Sequence, residues 1–151
     1  MPNYLTTARR ALIAALQADP TLASSVRTWY DFGPGLRKRY DTQPSNCPLI
    51  AVVPAELDVT QIATATESLP QDVEVGITTD GQDAEPCEAL VVAALDVVRA
   101  QRDICLGLAA DGLTHISIQS LRWEALLSRK DARVRWDAII IVRIHWMRRT
   151  A

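Results

Sequence analysis

The stretch "RVRWDAIIIVRIHW", residues 133–146, constrains the fold more than any other part of the chain. Its even positions, Val134, Trp136, Ala138, Ile140, Val142, Ile144 and Trp146, are all apolar. Its odd positions, Arg133, Arg135, Asp137, Ile139, Ile141, Arg143 and His145, are apolar only in the middle. Successive side chains of a strand point to opposite faces, so the pattern predicts a long strand with one buried face. The other face carries arginines and a histidine. Such a row suits a catalytic wall, a nucleic-acid surface or the wet inside of a ring, and the rest of the sequence has to choose among them.

Two segments have the spacing of amphipathic helices. Residues 4–17, "YLTTARRALIAALQ", put Leu5, Ala8, Leu12, Ala15 and Leu16 on one side and Arg9 and Arg10 on the other. Asp19-Pro20 ends this helix, because the residue before proline is pushed out of the helical region. Residues 83–101, "DAEPCEALVVAALDVVRAQ", form the second helix. Asp83 is its expected N-cap, Pro86 lies in its first turn, and Glu85 and Glu88 suit the positive end of its dipole. Its buried stripe reads Cys87, Leu90, Val91, Ala94, Leu95 and Val98, and Arg99 and Arg102 close the negative end.

The remaining elements are strands. "VRTWYDF", 26–32, is short and β-rich. "LIAVVP", 49–54, is a continuous apolar run of central-strand type. Residues 57–68 and 71–80 both alternate, and with Leu69-Pro70 between them they predict an antiparallel hairpin. In 113–128 the apolar parity switches from Ile116 and Ile118 to Leu121, Trp123 and Ala125, which predicts a bulge, since one inserted residue flips the face. Between the first two strands lies "GPGLRKRYDTQPSNCP", 33–48. Gly33-Pro34-Gly35 marks a turn, Pro44 and Pro48 oppose regular structure, and Arg37, Lys38 and Arg39 form a basic cluster. It reads as a long, exposed, extended loop, and loops of that length commonly carry function.

The expected fold class is therefore α+β: a mostly antiparallel β-sheet with two amphipathic helices packed on one face, and a long extended loop after the first strand. The whole of residues 1–151 reads as one domain, a length sufficient for a real core. The helices are expected on the even side of 134–146. The odd side, with Ile139 and Ile141 at its centre, is left open and points to contact with another subunit.

Composition narrows the function. The formal net charge of −2 gives no whole-protein drive toward nucleic acid, so any basic function is local. No apolar run reaches the ~18 residues of a membrane span, and the N-terminal pattern is interrupted by arginines where a signal peptide would be continuously apolar. Cys47, Cys87 and Cys105 are odd in number, widely spaced and without a CxxC, which reads as reduced thiols and not as a disulfide framework or zinc site. His115 and His145 are the only histidines, and neither sits in a metal motif. GxSxG, P-loop and GxGxxG motifs are lacking, and Gly33-Pro34-Gly35 is a turn, with no helix behind it to bind phosphate. The chain is expected not to be an enzyme and to use no cofactor and no metal. The basic cluster suits a solvated turn, an acidic partner or passing DNA. It lacks the repeated aromatic–basic interleaving of a sequence-specific binder. Trp29, Trp123, Trp136 and Trp146 all fall in strands, where core or interface packing is their ordinary role.

One family shares this layout. The helix "ARRALIAALQADPTLASSV", the strand "CPLIAVVP", the unit "VEVGITTDGQDAEPCEALVVAALDVV" and the closing strand "RWDAIIIVRIHW" resemble the tail terminator, or tail completion, proteins of long-tailed bacteriophages. The resemblance spans nearly the whole chain. It implies an α+β subunit of a hexameric ring of identical copies. That ring would sit on the tail tube protein, stop tube growth and present a joining surface to the neck or head-completion protein. It implies a place in the tail or neck of the virion, assembly in the host cytoplasm, no membrane partner, and non-specific contact with genomic DNA in the lumen. It carries over no catalytic set. The interface or lumen candidates are Arg37, Lys38, Arg39, Arg135, Arg143 and His145. Another head–tail connection subunit, such as a neck or head-closure protein, is the nearest alternative reading; a small α+β ligand-binding domain or enzyme is the more distant one.

Overall fold

The computed structural model describes residues 4–31, 44–57, 60–63, 66–127 and 134–149. The chain begins with helices α1 (Tyr4–Ala18) and α2 (Pro20–Ser25), then strand β1 (Thr28–Asp31). After a single 3-10 turn at Pro44–Asn46 come β2 (Leu49–Leu57), β3 (Thr60–Ala63) and β4 (Thr66–Gly81). Helix α3 (Glu85–Gln101), two further 3-10 turns, β5 (Leu113–Leu127) and β6 (Val134–Arg149) complete it. The sheet runs β1-β2-β4-β6-β5, with β3 also on β4. Among the described residues, β1 and β2 pair in parallel and the other ladders are antiparallel. This is the expected α+β class.

β6 divides its side chains as its alternation predicts. Ala138, Ile140, Val142, Ile144 and Trp146 are buried in the main core. Across from them on β4 stand Ile77, Val75, Val73, Gln71 and Leu69, also buried. The helices seal this layer: α1 contributes Ala8, Leu12 and Leu16, α2 contributes Leu22, and α3 contributes Cys87, Leu90, Val91, Ala94, Val97 and Val98. A fully buried Leu or Ile side chain is worth about 1.5–3 kcal/mol, so this one face of the sheet supplies most of the drive to fold.

Several local expectations need correction. The layer holds three α-helices where two were predicted, because Asp19-Pro20 ends α1 and at once starts α2. The Asp19 carboxylate accepts a hydrogen bond from the Leu22 N–H at 3.0 Å, and Pro20 opens the first turn. Arg9 does not face water; it is 9% exposed and pairs with Asp31 at the end of β1. The N-cap of α3 is Ala84, while the Asp83 carboxylate accepts from the Glu85 N–H at 3.1 Å. In the buried stripe of α3, Val97 takes the place expected of Leu95, which is half-buried. Pro44, expected to exclude regular structure, begins a 3-10 turn.

The predicted hairpin turn at Leu69-Pro70 is the middle of a strand. β4 runs straight through it, paired to β6 along its whole length. On its other edge, among the described residues, the β3 ladder ends at Ser68 and the β2 ladder at Gln71, with Pro70 between them. The His145 carbonyl faces β5, where it accepts from the Thr114 hydroxyl at 3.1 Å. A residue's N–H and C=O point the same way in an antiparallel strand, so Pro70 and His145 are a non-hydrogen-bonded pair. The donorless proline nitrogen therefore points away from β6, and the β4–β6 ladder loses no bond to it.

Candidate functional site

The bulge predicted in β5 lies between Ile118 and Ser120. It puts Leu121, Trp123 and Ala125 on the helix side, opposite Ile140, Ala138 and Trp136 of β6. Yet the core stops short of them: Leu121 is 37% and Trp123 45% exposed. Val92 on α3 is exposed as well. Beside the start of α3, Trp123, Ala125 and Trp136 with Ala84, Glu88 and Glu124 line an open groove of about 360 Å³. Its floor is aromatic, and Glu88 of α3 puts a carboxylate on its rim; Glu124 borders it through the β5 backbone, since it pairs with Asp137 and its side chain belongs to the opposite face. The Trp136 indole N–H donates to the Gly81 carbonyl at 3.3 Å, which fixes that ring.

The opposite face of the sheet holds the sequence-predicted candidates on β6. Arg143 lies across from Asp72 of β4, and its guanidinium meets both carboxylate oxygens, Nε to Oδ1 at 2.8 Å and Nη2 to Oδ2 at 3.1 Å. Arg135 grips Asp137, Nη2 to Oδ2 at 2.9 Å, and Asp137 also accepts from the Thr78 hydroxyl at 2.7 Å. His145 Nε2 meets the Ser68 hydroxyl. Arg135, Arg143 and His145 are thus tied into the sheet by partners on neighbouring positions. Arg37, Lys38 and Arg39, with the rest of residues 32–43, lie outside the described residues.

This face is also less open than its alternation suggests. Ile139 and Ile141 are half-buried. Toward β1 the face closes, because Cys47, Leu49 and Ala51 form a second small core with Tyr30 packed on it. Cys47, Cys87 and Cys105 are all buried free thiols. Burial pushes the Cys47 thiol above its ordinary value, with Asp80 adding to the shift, and burial does the same for Cys87. Both are held protonated, the form that is neither nucleophile nor metal ligand. Among the described residues no three His, Cys, Asp or Glu side chains come together as a metal would need. Nor is any helix among them long and apolar enough to cross a membrane.

Sequence reasoning placed the four tryptophans in core or interface without distinguishing them. Trp146 is buried, Trp29 and Trp136 are half-buried against the core, and Trp123 is exposed. The parity switch in 113–128 was the available signal, because it puts two large apolar residues on the core side of an outer strand.

No protein-family model matches the chain, and no curated protein sequence does. Its fold is similar to that of a chain in the virion of a native gene transfer agent particle. The superposition has a TM-score of 0.52 and 19% identity, and covers 91% of this chain and 93% of the other. A likeness at that identity establishes a shared fold, here over nearly the full length of both chains.

Proposed function

We propose that the protein is a structural subunit of a phage-like virion, and within that class a tail terminator. Copies of it form a ring, six in number, that caps the tail tube, stops its growth and offers the surface to which the neck or head-completion protein joins. The full-length likeness to a virion chain carries this reading. The layout shared with tail terminators supplies the finer assignment. The charged face favours a structural role over catalysis, since Arg135 and Arg143 are bound to carboxylates and the Cys47 and Cys87 thiols are held protonated.

The test is to add labelled protein to tail tubes assembled without it and to image them. Label at one end of each tube, with growth arrested, is the expected outcome. Label along the tube wall, or only on the head vertex, removes the terminator assignment, and the second result points to a neck subunit.

A further inference from the structure

Two features have no role so far: the acid-rimmed tryptophan groove and the basic cluster in the sequence. We propose that they are two halves of one contact, in which the groove beside β5 takes the segment Leu36-Arg37-Lys38-Arg39-Tyr40 of a neighbouring copy. The inference rests on the reading that copies of this chain assemble side by side.

The chemistry of the halves is complementary. The groove offers the exposed face of Trp123 and the ring of Trp136, with Glu88 on its rim. Asp83 and Glu85, both exposed, stand at the same end of α3. The segment has three consecutive cations between a leucine and a tyrosine. Guanidinium groups stack on indole faces and pair with carboxylates, while Leu and Tyr fill apolar floor. Arg135 and Arg143 are already bound to carboxylates on the other face, so they do not compete for the rim.

The position of the halves makes the neighbour, and not the same chain, the donor. Residues 32–43 connect Asp31, at the end of β1, to the turn that begins at Pro44. β1 and β5 are at opposite ends of the strand order. One row crosses the sheet from Trp29 through Ile50, Ile77 and Ala138 to Trp123, and the next from Asp31 through Val52, Val75 and Ile140 to Leu121. The segment thus leaves the sheet level with the groove but four strand spacings away, about 19 Å. Half of the connecting residues, fully extended, reach about 20 Å. That leaves nothing for a detour over the three helices that cover this face. A copy set beside the β1 end brings its β5 groove to the segment directly. Such a contact joins unlike surfaces head to tail, the kind that generates a ring when its rotation closes.

The first measurement uses the full chain carrying Arg37→Ser, Lys38→Ser and Arg39→Ser, which empties the groove, and a synthetic peptide of residues 33–43. A saturable change in tryptophan fluorescence is expected. It should vanish with Trp123→Ala and weaken about tenfold or more with Glu85→Gln and Glu88→Gln together. The second measurement is sedimentation of two charge-reversed chains. One carries Arg37→Glu, Lys38→Glu and Arg39→Glu; the other carries Glu85→Arg and Glu88→Arg. Each alone should associate less than the native chain, and their equal mixture should regain association, because every contact in it again joins opposite charges. All these side chains lie on the surface or in the segment, and circular dichroism checks that each variant is folded.

A native chain that is monomeric at about 1 mM, where even weak pairs form, overturns the contact. So does a mixture that fails to regain association, or a peptide that binds equally well without Trp123. If the segment-reversed chain loses affinity for duplex DNA while self-association is untouched, the cluster serves DNA and the proposal fails. Rescue in the mixture by chains that do not cap tail tubes keeps this contact and removes the terminator reading. Capping by chains whose association ignores both reversals does the opposite.

Discussion

Ile77, Ala138 and Trp123 stand in one row on one face of the sheet, yet the first two are fully buried and the third is 45% exposed. The difference is one of coverage, not of residue type, since Trp123 is the largest apolar side chain of the three. A strand rises about 3.3 Å per residue and a helix about 1.5 Å. Helix α3, of 17 residues, is therefore about 25 Å long, whereas β4 and β6, of 16 residues each, approach 50 Å. One layer of helices seals the middle strands and runs out before the far half of β5. The inner region is finished by folding. The outer one is a core face still lacking its cover, which in an assembling protein is where a second molecule belongs.

Substitutions along this face sharpen the contrast, beginning with the largest effect. Ile140→Ala removes a side chain that is 1% exposed between β4 and β5 and under the helices, and should cost about 3–4 kcal/mol in chemical denaturation. A loss below about 1 kcal/mol would mean that the even face of β6 is not the core side. On the opposite face, Arg143→Ala breaks a two-point contact with Asp72, but the arginine side chain is 40% exposed, so about 1 kcal/mol is expected. The gap between native and variant should narrow in about 1 M salt, where exposed charges are screened. Trp123→Ala should be the mildest, within about 0.5 kcal/mol of the native stability, despite removing the biggest side chain. A cost near that of Ile140→Ala would show that Trp123 is already part of the folded core, and the comparison would fail.

The sequence exposed the parts of this fold that depend on local pattern. The alternation of 134–146 gave the two faces of β6. The parity switch after Ile118 gave the bulge in β5, and the 3.6-residue stripes gave α1 and α3. Features set by distant residues stayed hidden. Arg143 reads as an open cation until Asp72, 71 positions away, is placed across from it. Arg9 reads as a water-facing residue until β1 delivers Asp31. Pro70 reads as a turn because proline breaks ladders, and only its pairing with His145 shows that its nitrogen faces away from the β6 ladder. The groove was half legible: its aromatic floor follows from the bulge, but its acidic rim needs α3 laid beside β5.

Pro70 also governs how the sheet comes apart. Among the described residues, the β2 ladder on β4 ends at Gln71 and the β3 ladder begins at Ser68. Proline offers no donor between them. A crack that opens β3 meets this donorless position before it reaches the β2 ladder, and a crack at β2 meets it from the other side. Both ladders border the β4–β6 pair, whose register is unbroken from Thr66–Arg149 to Gly81–Val134. That pair acts as a spine, and the strands on its β2–β3 side are separable ribs: one can exchange its amide hydrogens without loosening the other.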